Sequence, residues 1–322
     1  MITHPTASML QPSYIGLLNR LENMEKTIIN SAATGDGTYR DLDIYKCYLK
    51  SPYLSIKQTS YFRAYTELLD QYRGKPITFV EIGVLNGGSL FMWREYFGAD
   101  ARIIGIDFNP LAKRWENDGF EIHIGSQSDP LFWAEFFRKV GEVDIVLDDG
   151  GHKFEQQIVT AYECIPHIRD GGLLIVEDTH TSYFKDFGYP TKYSFIEWSK
   201  KLVDNINSRY PKIRASDLPY KHSIFSINFF ESLVSFKIRR EWCFESAYTT
   251  NGGIEIGAED FRHKDSVVGK TQEMSNYFAR QLSFLKKFKS VKVGLYSFSA
   301  FIIRQIFRAH SKVTARRLKR FF

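Results

Sequence analysis

The stretch "ITFVEIGVLNGGSLFMWREYFGADARIIGID", residues 77–107, decides how this chain folds. It opens on a short apolar run, "ITFVEIG", interrupted only by Glu81. A glycine-rich turn follows, then the helical segment "GSLFMWREYFG" (88–98), then a second apolar run, "ARIIGID", that ends in Asp107. Near-continuous apolar runs separated by a helix are the mark of parallel strands buried on both faces, with helices as the covering layers.

The same unit repeats downstream. "FEIHIG" (120–125), "VDIVLDD" (143–149) and "GGLLIVED" (171–178) read as strands, with a short helix near 110–117. "DPLFWAEFFRKVG" (129–141) and "FEQQIVTAYECIPHI" (154–168) read as helices between them. The alternation predicts a Rossmann-like, mostly parallel α/β sheet joined by right-handed crossovers. "SFIEWSKKLVDNINS" (194–208) is a further helix, and "SIFSINFFESLVSFKI" (223–238) reads as two strands that close the sheet as a hairpin. Upstream, "YIGLLNRLENMEKTIINSA" (14–32) and "KQTSYFRAYTELLDQYR" (57–73) have helical spacing. Residues 250–270 read as a loop and 281–322 as a basic helix. The chain thus divides into a helical N-terminal extension (1–75), a core (76–240) and a loop with a basic helical extension (241–322).

Bulk properties set limits. The sequence has 322 residues, 43% of them hydrophobic, enough for a sizeable core. No basic stretch with an apolar core opens it, so no signal peptide is expected. "VGLYSFSAFII" (293–303) is too short to span a bilayer. Three widely separated cysteines, Cys47, Cys164 and Cys243, read as reduced thiols of a cytoplasmic protein.

Acids stand at four of the five parallel strand ends: Glu81, Asp107, the pair Asp148 and Asp149, and the pair Glu177 and Asp178. In a doubly wound sheet those ends face the ligand. Clustered carboxylates repel one another unless a cation or a donor sits among them. The turn "EIGVLNGGS" spaces its glycines as Gly-x-x-x-Gly-Gly, which departs from the Gly-x-Gly-x-x-Gly of nicotinamide enzymes and is not a P-loop. An acid ahead of Gly83 suits a cationic ligand such as S-adenosylmethionine. Asp107, 24 residues beyond Gly83, stands where an acid binds ribose hydroxyls. Asp149, Glu177 and Asp178 converge on neighbouring tips, and three hard oxygen ligands suit magnesium or a similar ion. His152, past two glycines, can take the proton of an acceptor hydroxyl as general base.

"VEIGVLNGGSLFMWREYFGADARIIGID", "DIVLDDGGHKFEQQ" and "GGLLIVEDTHTSY" resemble the macrocin and mycinamicin sugar O-methyltransferases and their bacterial relatives. The resemblance spans about 57–235 and implies the class I methyltransferase fold, seven strands with the last antiparallel. It matches Asp149, Glu177 and Asp178 to magnesium ligands and His152 to the catalytic base. It matches Glu81, Gly83, Asp107 and Gln127 to cofactor contacts, a set that Ser89 and Asp148 complete. "HTSY" (180–183) is placed to touch the sugar. This chain has "GSQ" (125–127) where relatives have Gly-Asp-Gln, and "DDGGH" where they have "DDGSH".

Charge is uneven. The net charge is +6, yet 281–322 holds eleven Lys/Arg and no acid, so the remainder is net acidic. Arg304, Arg308, Lys312, Arg316 and Arg320 recur every fourth residue beside an apolar stripe of Leu295, Phe298, Ile302, Ile306 and Val313. Such a helix lies on an anionic membrane surface, or packs on the body or another subunit of a homo-oligomer. It lacks an aromatic-basic recognition motif, so no nucleic acid is expected. A cytoplasmic enzyme, peripheral at the inner membrane face, that methylates a sugar of a surface polysaccharide or glycolipid is the expectation. The alternatives are a methyltransferase of an antibiotic or other natural product, and a glycan- or membrane-binding scaffold on the same fold.

Overall fold

The computed structural model describes residues 37–211, 213, 219–257, 267–281 and 289–321. The helix expected over 14–32 lies outside them. The chain forms two compact units, Met1–Ala247 and Tyr248–Phe322.

The first unit opens with helices α1 (Asp43–Lys50) and α2 (Tyr61–Leu69). Then strands and helices alternate: β1 (Thr78–Ile82), α3 (Gly88–Phe97), β2 (Arg102–Asp107), β3 (Glu121–Ile124), α4 (Pro130–Val140), β4 (Val143–Asp148), α5 (Phe154–Cys164) and β5 (Ile168–Val176). Helix α6 (Phe195–Asn207) leads to the hairpin of β6 (Ile224–Phe230) and β7 (Leu233–Ile238). The seven strands are ordered β3-β2-β1-β4-β5-β7-β6. Strands β1 to β5 pair in parallel, and β7 runs antiparallel to both β5 and β6. This is the expected Rossmann-like methyltransferase sheet with its antiparallel last strand.

Strand alternation divides the core into two layers. Phe79, Ile103, Ile145, Leu147, Leu173 and Ile175 pack on one side, with Tyr61, Tyr65 and Trp93 from α2 and α3. Val80, Ile104, Val146, Leu174 and Val176 pack on the other, with Trp133 and Phe136 of α4, Ala161 of α5 and Phe195 of α6. Helix α1 was not expected. It is only eight residues long and buries only Ile44 and Cys47. The 57–73 segment is helical only from Tyr61 to Leu69, with a 3-10 turn at Asp70–Tyr72.

The second unit contains α7 (Val267–Gln281) and α8 (Lys289–Leu318). Residues 248–257 are irregular, as expected of that loop, but α7 begins within the span read as loop. Among the described residues no helix is long and apolar enough to cross a membrane.

Candidate functional site

The strand order reverses between β1 and β4, each parallel to the other and each followed by a turn at the same edge. Such a switch point opens a crevice for ligands. Here it is a cleft of about 550 Å³. Of the residues singled out from sequence, Gly83, Ser89, Asp107, Gln127, Asp149, His152 and Asp178 line it. Ser126 lines it as well.

The turn after β1 is built by backbone geometry. Gly83 has φ 92°, and its amide donates to the Ile106 carbonyl at 2.8 Å. The amide of Asp149 donates to the Ile82 carbonyl at 3.0 Å, so the β4 tip lies directly over the turn. Asp107 braces the other side. Its Oδ2 accepts from the amides of Val84 (2.9 Å) and Leu85 (3.1 Å), and its Oδ1 from Asn109 at 2.8 Å. Both lone pairs of Oδ2 are thus engaged, and Oδ1 keeps one.

Two of the cofactor-binding candidates are interior groups. Glu81 is fully buried and accepts from Ser89 Oγ (2.7 Å) and Trp93 Nε1 (3.1 Å). Burial pushes its carboxyl up to about 7, against the opposing pull of Lys57. Asp148 is buried on the other face, where Gln127 Nε2 donates to both its oxygens (2.9 and 3.1 Å) and the Gly150 amide to one (3.1 Å). Burial raises its carboxyl and those donors oppose the rise. Gln127 Oε1 in turn accepts from the Gly151 amide at 2.9 Å, tying the tip of β3 to the Asp149–His152 loop.

The acidic tips divide into an inner and an outer group. Asp149, His152 and Asp178 are partly exposed, and one ligating atom from each lies within 4.8 Å of the others. His152 Nε2 is 3.3 Å from Asp178 Oδ2. His152 and Asp178 both adopt left-handed backbone, φ 56° and 52°, which turns their side chains into the cleft. Thr181 Oγ1 donates to the His152 carbonyl at 3.0 Å and holds that turn.

Glu177, the third predicted metal ligand, belongs to the inner group. Its side chain is 0% exposed, and it does not line the cleft. Tyr65 OH donates to its Oε1, and Lys57 Nζ donates to its Oε2 at 3.0 Å. The same ammonium donates to Asp149 Oδ2 at 2.7 Å. Burial works to discharge Lys57, but Asp149, Glu177 and Glu81 outweigh it and hold its pKa well above the usual lysine value. Burial keeps the Tyr65 hydroxyl protonated, and Glu177 reinforces it. For Glu177 burial dominates, raising its carboxyl despite Lys57.

Four donors to these acids come from one segment that sequence reasoning read only as a helix. Besides Lys57 and Tyr65, Tyr61 OH donates to Asp178 Oδ1 at 2.6 Å and Gln58 Nε2 donates to the same oxygen at 3.0 Å. The Asp178 amide returns a bond to Tyr61 OH at 2.9 Å. The legible signal was Lys57, Tyr61 and Tyr65 at four-residue spacing, polar tips on an otherwise apolar face.

Residues 80–179 match the family described as a methyltransferase domain. The chain carries a class I methyltransferase domain. The chain is 34% identical over 165 residues to 8-demethyl-8-alpha-L-rhamnosyl tetracenomycin-C 2'-O-methyltransferase of Streptomyces olivaceus, covering 47% of this chain and 43% of the relative. It is 34% identical over 125 residues to demethylmacrocin O-methyltransferase of Streptomyces fradiae, covering 37% of this chain and 31% of that one. The chain spans less than half the length of these curated relatives. Among solved structures, the fold of the methyltransferase domain is shared with MycE methyltransferase from the mycinamycin pathway, in complex with Mg, SAH and mycinamycin VI. The TM-score is 0.53 at 24% identity, over 67% of this chain and 56% of that one.

Proposed function

We propose that this chain transfers a methyl group from S-adenosylmethionine to a sugar hydroxyl. The observation that carries the reading is one cleft at the sheet's switch point, lined both by the Gly83 turn with Asp107 and by Asp149, His152 and Asp178. The first pair suits a cofactor with a ribose and a cationic sulfur; the second suits an acceptor oxygen that must lose a proton.

Asp107 is the proposed partner of the ribose hydroxyls, and the backbone around Gly83 lets the cofactor approach closely. Ser89 and Gln127 border the same cleft. Glu81 and Asp148 support the turn and the β4 loop from behind. His152 is the proposed base: the acceptor O–H proton passes to the imidazole as the oxygen–methyl bond forms and the sulfur–methyl bond breaks. Asp178, beside Nε2, steadies the imidazolium that results.

The donor set fits a divalent ion, since the Asp149 and Asp178 carboxylates face one point and are partly open to the cleft, which leaves the His152 imidazole free to act as base. Asp149 and Asp178 are the proposed ligands; Glu177 is buried behind them and does not reach the cleft. The ion supplies positive charge that makes an acceptor hydroxyl more acidic.

For the acceptor we favour a glycosylated natural product over a surface polysaccharide. The relatives named above act on rhamnosyl tetracenomycin and demethylmacrocin. The surface-glycan reading draws on α8, where Arg304, Arg308 and Lys312 are exposed together with Phe301, Ile302 and Phe307. That mixture suits contact with an anionic lipid surface. Calorimetric titration with S-adenosylhomocysteine, then turnover on a panel of glycosides, tests the proposal. Absence of cofactor binding would refute it.

A further inference from the structure

Lys57 Nζ stands where three acids converge, 2.7 Å from Asp149, 3.0 Å from Glu177 and 3.9 Å from Glu81. Its side chain is 1% exposed. It occupies Asp149 Oδ2 and Glu177 Oε2, and Tyr65 occupies the other Glu177 oxygen. Tyr61 and Gln58 occupy Asp178 Oδ1. Of the six oxygens of Asp149, Glu177 and Asp178, Asp149 Oδ1 and Asp178 Oδ2 are left without a donor from this segment, beside His152 Nε2.

We propose that Lys57 is a positioning residue that sets the strength of divalent-cation binding at this site and reserves Glu177 from it. The inference rests on the methyl-transfer reading of the cleft. A permanent internal monocation holds the acids in place when no ion is bound, and so keeps the site assembled. It also repels a dication a few ångströms away, because Coulomb interactions strengthen where water is excluded. The outcome is a site of two carboxylates that binds its ion weakly and exchangeably. Without the ammonium, Glu177 Oε2 loses its donor and the positive charge beside the site is gone.

The charge balance defines the test. Mn²⁺ is titrated into the full chain, Lys57→Met, Glu177→Gln and the double variant, and free Mn²⁺ is followed by its paramagnetic resonance signal. Lys57→Met should bind Mn²⁺ at least tenfold more tightly than the unmodified chain. The double variant, which removes one charge of each sign, should return to within about threefold of it. Unchanged or weaker binding by Lys57→Met overturns the proposal. Should Lys57→Met fail to fold, the double variant is compared with Glu177→Gln, and the same tenfold gain is required there. S-adenosylhomocysteine titrations on the same samples separate the two ideas. Loss of cofactor binding in the unmodified chain sinks the methyltransferase reading, whereas normal cofactor binding without the Mn²⁺ gain sinks the role of Lys57 alone.

Discussion

A Cβ placed on Gly83 would lie 2.1 Å from the carbonyl oxygen of Asp149. The turn after β1 and the tip of β4 are thus in backbone contact, and the cofactor half of the cleft is joined to its acidic half at this point. Gly83→Ala must push the two tips apart and also hold alanine at φ 92°. The backbone strain alone costs about 1–3 kcal/mol. The variant should melt lower than the parent and lose S-adenosylhomocysteine binding by calorimetry. A folded Gly83→Ala that binds normally would remove this turn from the cofactor site.

Glu81 makes stability depend on pH. Its folded carboxyl is raised to about 7 from 4.5, chiefly by burial. A raised value means that its contribution is complete below about pH 4.5 and is lost as pH climbs through about 7. Glu81→Gln removes that titration and keeps the shape. Relative to the parent, the variant should gain stability across this window, by at most about 3 kcal/mol at 1.36 kcal/mol per unit. Urea unfolding at several pH values measures it. A parent-to-variant difference that is flat across the window would contradict the assignment.

His152→Ala should lower turnover roughly a hundredfold or more, the usual scale for a positioned base. Cofactor affinity should stay within about threefold, because the cofactor contacts proposed at Gly83 and Asp107 are untouched. Equal losses in both would mean that His152 shapes the cleft instead of taking a proton.

Chelation should stop turnover, and added Mg²⁺ should restore it. Asp178→Asn is the cleaner ligand variant, since Asp178 shares no contact with Lys57. Asp149→Asn removes one of the negative charges that face the buried Lys57 ammonium and should also cost stability. Thermal melts of the two variants separate these effects, and EDTA-resistant turnover would show that the site works without an ion.

Helix α8 should carry the full chain onto anionic vesicles in a flotation assay, with release as salt is raised. Arg304→Glu with Arg308→Glu should abolish flotation. Equal recovery on neutral and anionic vesicles would remove the electrostatic contribution.

Sequence by itself determined the architecture here, because burial on both faces writes parallel strands as apolar runs such as 77–83 and 143–149. It also named the acids, since carboxylates at the ends of such runs need partners that the runs themselves do not supply. The division of labour among them came only with the tertiary structure. Strand alternation continues the Phe79, Leu147 and Ile175 side into Glu81, Asp149 and Glu177, so those three face α2 and α3. It continues the Val146 side into Asp148, which meets Gln127 instead. Which cation or hydroxyl waits on each side depends on a segment far away in the chain, Lys57 to Tyr65. Its reach to Glu177 spans more than a hundred residues of sequence. A local pattern encodes the burial of a strand and the tightness of a turn. It does not encode which distant side chain will meet a given carboxylate, because that contact exists only once the helical layer is packed on the sheet.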